Sequence, residues 1–495
     1  MKKNYTLLGL FFTLFAFAQT PTIVWNYALP EKIDRTNPAI ASDGTIYIAC
    51  DYTTRNTLTY ATTPRNIFAI NPNGTLKWEA PVNEGTLLDK VDQIQSSPSV
   101  SADGSIYIGG HFSRRVFRFN AATGDTLRTM NIGSRIRYTA PAFATNGDVY
   151  VLGRNNNDRG VRNLKADLTA QNWVFAAGID FNSTPAIAKD GTIYAVSTNL
   201  SIYAINPDGT QKWTAVYGET GGYASSAIAL GNDGTVYVSA KLNTAGDGVL
   251  KAYNPVDGTE KWSVTLTGTN VEQGGPSVAA DGTVYLGNTG GILNAYNPAD
   301  GSVKWSFTAS GGIEVVPAID NFGRIYFGTT TGNFYVLNSN GTEAYDMLDL
   351  GDKINSSVGI DKDGKIYVAA TDAGVGKLYA LTTTATGLQA GAWPMYGGNA
   401  RHTSNANDAT LSTVNISAID DFNVYPNPVN NGGFYISSSL NGMKSIEIIN
   451  MLGKQVFSKN IENNELISTS NLNAGIYILR VTIDNKVATT KLIIK

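Results

Sequence analysis

The stretch DGTIYIA at Asp43–Ala49 decides how this chain folds, because it comes back seven times as DGSIYIG, NGDVYVL, DGTIYAV, DGTVYVS, DGTVYLG, FGRIYFG and DGKIYVA. The tyrosines of the eight copies are Tyr47, Tyr107, Tyr150, Tyr194, Tyr237, Tyr285, Tyr326 and Tyr367, spaced by 60, 43, 44, 43, 48, 41 and 41 residues. A period of that length marks a propeller with one four-stranded blade per unit. Asp-Gly between alternating apolar runs is a hairpin signal, because Gly adopts the positive φ of the turn at little steric cost. Each unit reads as an apolar strand, the Asp-Gly turn, the Tyr strand, a variable loop, a strand such as IFAIN, an Asn-Pro/Gly turn and a last strand.

The last strand carries Trp78, Trp173, Trp213, Trp262 or Trp305, with Tyr345 in the same slot of the seventh unit. A ring recurring at one register is expected to be architectural, packing on the next blade, rather than a platform for an aromatic ligand. The eighth unit, residues 356–382, lacks a clear fourth strand, whereas TIVWNYAL near the N-terminus, with Trp25, is an orphan. The fold expected is therefore all-β: an eight-bladed β-propeller of four-stranded blades closed by the N-terminal strand, followed by a small C-terminal β-sandwich. The segment with Trp393, after the eighth unit, is expected to lie along the outside.

Only 16% of the residues are charged, and the formal net charge is −3. Residues 19–422 hold 28 Lys/Arg against 36 Asp/Glu, an acidic balance that argues against nucleic acid as a partner. Lys2 and Lys3 precede the apolar run Leu7 to Phe17, and Ala16-Phe17-Ala18 offers a cleavage site. Residues 1–18 thus read as a signal peptide. The run is too short for a bilayer that needs about 20 apolar residues, and no transmembrane segment is expected. With Cys50 alone, no intrachain disulfide can form, and that thiol is expected to be buried and structural.

AINPDGTQKW at Ala204–Trp213, AYNPADGSVKW at Ala295–Trp305 and WPMYGGNARHT at Trp393–Thr403 resemble the tryptophan-docking repeats of quinoprotein-like propellers, the pyrroloquinoline-quinone (PQQ)-like repeat family, over roughly residues 21–402. The resemblance implies two comparisons, with quinone-dependent alcohol dehydrogenases and with a non-catalytic propeller lipoprotein of outer-membrane β-barrel assembly. The dehydrogenases are known for an adjacent-cysteine disulfide and a carboxylate-bound calcium. This chain has one Cys, so no quinone or other cofactor is expected, nor is a lipobox cysteine present behind the signal peptide.

The tail NVYPNPVNNGGFYI…IEIINMLGKQVFS…LNAGIYILRVTIDNKVATTKLIIK is similar to the C-terminal sorting domain of Type IX secretion cargo. The resemblance is carried by Tyr425-Pro426-Asn427-Pro428, Leu452-Gly453-Lys454, Gly475-Ile476-Tyr477 and the terminal Lys491–Lys495. It implies the secretion machinery as a partner and a secreted or cell-surface location. The domain plan expected is a signal peptide at 1–18, the propeller at 19–402, a linker at 403–422 and the sorting domain at 423–495.

Two histidines, His111 and His402, leave no His-based triad or metal cluster; both are expected to be solvated loop residues. The tight turns share one face of the ring and the variable loops the other, so the variable face is the place to seek a site for a protein or glycan ligand. Three residues before the Pro, or its substitute, that opens each first strand stand Arg35, Gln95, Tyr138, Asn182, Ala224, Gln273, Glu314 and Asn355. This ring is expected at the mouth of a central funnel, either as a ligand site or as a hydrated rim. The leading functional expectation is a non-catalytic binding protein. The alternatives are a glycan-acting enzyme using funnel carboxylates such as Glu314, and a structural spacer.

Overall fold

The computed structural model describes residues 20–33, 35–51, 65–82, 94–154, 159–219, 222, 226–243, 246–408, 422–430, 432–438, 444–450, 455–462, 465–470, 472–483 and 486–495. The signal-peptide residues, Ala224, Gly453 and most of the proposed linker lie outside them. The chain divides into two compact units, residues 1–412 and 413–495.

The first unit is a ring of eight four-stranded antiparallel sheets. Seven are built in chain order; blade 1, for example, is Ala39–Ile40, Ile46–Ala49, Ile67–Ile70 and Leu76–Ala80. The eighth takes Gly359–Ile360, Ile366–Asp372 and Val375–Thr382 from the end of the propeller and Thr22–Ala28 from its beginning, with Trp25 opposite Ala380. Closure in this way removes the free sheet edge that the eighth blade would otherwise present.

Blades are locked to one another through the fourth-strand ring. The indole nitrogens of Trp25, Trp78, Trp173, Trp213, Trp262 and Trp305 donate to the carbonyls of Pro72, Ala121, Pro207, Pro255, Pro298 and Ser339 in the following blade, at 2.8–3.0 Å. Each ring lies on a glycine of that same turn. A Cβ on Gly258 would sit 2.5 Å from the Trp213 ring, and one on Gly124 would sit 2.6 Å from Trp78. Both glycines also hold φ near +75°, so a side chain there is strained twice over. On its other side each ring meets its own blade's repeat tyrosine, as in Tyr194–Trp213 and Tyr237–Trp262, both at 5.7 Å. Blade 2 departs from the rule. Arg128 occupies the tryptophan slot there, and the Tyr107 hydroxyl donates to the Ala166 carbonyl of blade 3 instead. In blade 7 the Tyr345 hydroxyl accepts from the Thr384 amide at 2.8 Å, because the eighth blade has no turn at that place.

The expectation for Trp393 is corrected. Its side chain is buried, at 2% exposure, and residues 387–408 run as a strap along the inner edges of the blades. The amides of Ile40, Val100, Phe143, Ile187, Val278 and Ile319 donate to the carbonyls of Ala400, Arg401, Thr403, Ser404, Trp393 and Pro394 at 2.7–2.9 Å. The first strands are only two residues long, and the strap takes up hydrogen-bonding groups that would otherwise face the channel. For the same reason the linker cannot start at residue 403: Thr403, Ser404 and Asn405 are buried. His402 is likewise buried rather than solvated, and so is His111. Cys50 is buried in the core between blades 8 and 1, and that burial pushes its thiol pKa far up.

The second unit has a three-stranded sheet of Asn423–Tyr425, Gly433–Ser437 and Ile467–Ser468, and a four-stranded sheet ordered Gln455–Ile461, Lys444–Asn450, Gly475–Ile483, Lys486–Ile494. Val429, Phe434, Ile446, Leu479 and Leu492 belong to its core.

Removing the buried ring of Trp393 by substitution with Ala is expected to cost about 3–5 kcal/mol, and removing the half-buried ring of Trp25 less than that but measurably. Thermal unfolding of the two variants checks this, and a neutral Trp393→Ala would contradict a strap that holds the ring from within.

Candidate functional site

The link into each first strand begins with a buried apolar anchor, such as Ile33, Ile94, Ile136, Phe181, Val271, Ile313 and Ile354. At Ile33 and Ile136 the anchor is five residues before the proline rather than four, and one residue of each of these two links takes left-handed backbone. Arg35 has φ 63° and Tyr138 has φ 58°. A non-glycine residue in this region is strained and persists only where its surroundings hold it there.

Arg35, Tyr138, Gln273, Glu314 and Asn355 line one central cavity, together with Asn37, Thr184, Ala227, Ser357 and Tyr396. Gln95 and Asn182 are buried and are not among its lining residues. The Arg35 and Arg137 guanidiniums each lie 4.2 Å from the centroid of the Tyr138 ring, and the Arg137 Nε donates to Gln95 Oε1. Glu314 Oε2 faces Lys353 Nζ at 3.4 Å. Gln273 Oε1 and Asn355 Oδ1 are buried without a hydrogen-bond partner among the described residues.

Sequence reasoning missed the floor. Tyr396 rises from the strap and shares a 2.6 Å hydrogen bond with Thr184. Around it runs a belt between blades: Asn37 Nδ2 donates to Ser97 Oγ at 3.0 Å, the Ala140 amide to Thr184 Oγ1 at 3.0 Å, the Val316 amide to Ser357 Oγ at 3.0 Å, and the Ser357 amide to Asn37 Oδ1 at 2.6 Å. These residues stand at or next to the position before the proline, where the sequence shows only small polar or apolar types. The enclosed space is about 30 Å³, inside a mouth of about 440 Å³ when open solvent is included. That is room for about two water molecules.

His402 supports the floor from below. Its Nδ1 is 3.0 Å from the Pro98 carbonyl, which can only accept, so this nitrogen carries the proton. The ring packs edge-on against Tyr396 at 5.0 Å. Burial pushes the His402 pKa down to about 4, against the opposing pull of the Pro98 carbonyl.

Residues 13–158 and 157–388 match a family model described as outer membrane protein assembly factor BamB, and residues 423–495 match one described as secretion system C-terminal sorting domain. No curated protein matches the chain. Among solved structures, BamB from Moraxella catarrhalis is similar at 17% identity and a TM-score of 0.54, covering 73% of this chain and 97% of its own. A europium-containing methanol dehydrogenase gives 13% and 0.56, covering 73% and 93%. A quinohemoprotein alcohol dehydrogenase from Comamonas testosteroni gives 14% and 0.52, covering 73% and 76%. At such identities the likeness is one of fold.

The dehydrogenases raise the question of a quinone, and the residues present do not fit one. The floor is closed by Tyr396, the space above it is far smaller than a tricyclic ring, and among the described residues Glu314 is the one carboxylate in the lining, facing Lys353.

Since the folded pKa of His402 lies below its unfolded value of 6.5, the unfolded chain binds the proton first as pH falls. Stability is expected to be unaffected by His402 above pH 6.5 and to decline between 6.5 and about 4, by on the order of 3 kcal/mol. Denaturant melts across that window, on the native chain and on His402→Gln, check it: the variant should lose most of that slope.

Proposed function

The chain belongs to the PQQ-like repeat family described as outer membrane protein assembly factor BamB and ends in a Type IX sorting domain, and from that premise we propose that it is a non-catalytic, cell-surface or released binding module. It reaches the outside in two steps. The signal peptide at residues 1–18 takes it across the inner membrane by the Sec route, and the tail takes it across the outer membrane. The propeller, residues 19–408, is the cargo.

The observation that carries the reading is the closed funnel. Most glycoside hydrolases cleave the glycosidic bond with two carboxyl groups placed about 5–10 Å apart around a sugar ring. Among the described residues the central cavity has Glu314 as its one carboxylate, faced by Lys353, above a floor too tight for a ring. What the variable face does offer is a rigid rim of arginine, amide and tyrosine groups, the chemistry of recognition rather than turnover.

Incubated with a panel of polysaccharides, the purified protein is expected to release no new reducing ends and no unsaturated products. Turnover that disappears in Glu314→Ala would defeat the non-catalytic reading. Deleting residues 423–495 is expected to leave the propeller folded in the periplasm; fractionation of cells making the truncated chain tests this, and undiminished surface display would remove the sorting role.

A further inference from the structure

Fifteen arginines occur in the chain, and nine of them lie between residues 114 and 162, a span with three aspartates and no lysine or glutamate. Topology sorts these nine by face. Arg118 and Arg128 sit toward the tight turns, where Arg118 pairs with Asp103 at 2.7 Å. Of the other seven, Arg114, Arg135, Arg137, Arg154 and Arg159 stand in loops and links of the variable face over blades 2 and 3, while Arg115 and the buried Arg162 belong to the strands Arg115–Phe119 and Gly160–Leu164 that start from that face.

Elsewhere the same face is neutralised pair by pair: Lys241 with Glu272 at 2.8 Å, Lys353 with Glu314 at 3.4 Å, Lys377 with Asp372 at 2.5 Å. Over blades 2 and 3 the ion pair between Arg159 and Asp180 is a loose one, at 3.8 Å. Arg135 and Arg154 are moreover opposite each other in a two-way backbone bridge, each amide bonded to the other's carbonyl at 2.9–3.0 Å. Like charges placed so are destabilising. Arg135 Nε and Arg154 Nε and Nη1 are buried without a hydrogen-bond partner among the described residues. Backbone strain concentrates here too, with Arg35, Arg114 and Tyr138 all at positive φ.

We propose that this sector, from Arg35 at the funnel mouth across blades 2 and 3, binds an acidic polysaccharide through the carboxylate or sulfate groups along its chain. The inference rests on reading the propeller as an extracellular binding module. Arginine without lysine fits planar oxyanions, which its forked donors grip two at a time. A row of them spread over several loops fits a repeating polyanion better than a single small anion. A glycan is favoured over nucleic acid because the body of the propeller is acidic and would repel a strand running beyond the sector.

The test is calorimetric titration of the full chain with polygalacturonate, dextran sulfate, uncharged dextran, polyglutamate and inorganic sulfate, at low and high salt. Expected is binding of the two acidic glycans that weakens steeply with salt, with dextran and free sulfate inert. Arg114→Gln, exposed, and Arg115→Gln, half-buried, should each weaken binding about two- to fivefold, and Arg135→Gln with Arg154→Gln about tenfold or more. Lys165→Gln, the same change of charge on the opposite face, should leave binding as it was. Should the double variant fail to fold, the two single variants carry the test. Unchanged binding in them, tighter binding of polyglutamate than of either glycan, or no binding of an acidic glycan would each overturn the assignment. Binding of dextran alone would also overturn it while leaving a binding module in place, whereas cleavage of any polymer would unseat the binding module itself.

Discussion

The contact between an indole ring and a glycine turn of the next blade is what the ring depends on. A four-stranded sheet of short strands has too little buried surface to be stable alone, so each blade needs its neighbours. The tryptophan provides this in two ways at once. Its face covers a turn that has no side chain, and its nitrogen donates to a carbonyl of the same turn, as in Trp262 over Gly301 and on to Pro298. The repeat tyrosine then holds the indole from its own blade. The Tyr and Trp of one blade and the turn Gly of the next are thus parts of a single joint.

That joint explains why the fold was legible. Its residues are large, rare or conformationally special, and they recur at fixed register, so Tyr47 with Trp78 or Tyr194 with Trp213 mark blades without any structure. The same logic exposed the eighth blade as one strand short and Trp25 as its missing piece. The strap left no such trace. It bonds through main-chain groups to first strands of two residues, and main-chain groups carry no sequence signature; Trp393 and His402 therefore read as an outer segment and a loop although both are buried. Arg128 was overlooked because it stands in the one tryptophan slot filled by a charged residue.

The site was legible in part for a related reason. Aligning units on the proline brought Arg35, Tyr138, Gln273, Glu314 and Asn355 to one cavity, since equivalent positions in a ring converge on its axis. Gln95 and Asn182 are buried instead. The belt of Asn37, Ser97, Thr184 and Ser357 was invisible, being made of ordinary small residues whose partners lie in other blades. The lopsided charge of the variable face could have been counted from the sequence, but only the topology separates seven arginines of one face from two of the other.

The strap has a consequence for the order in which the molecule can be completed. The ring is fastened by its first residues at the outer edge of blade 8 and by its last at the inner edges of six blades, so both fasteners join parts of the chain that lie far apart in sequence. Contacts of that kind form late and slowly, because their loop-closure entropy must be met before they return any stabilisation. A chain threaded across a membrane from its N-terminus would therefore travel as an open arc whose inner edges stay unsatisfied until residue 404 has emerged. The sorting domain, residues 423–495, comes after the strap in the chain, so the address arrives only once everything needed to close the ring is already on the same side.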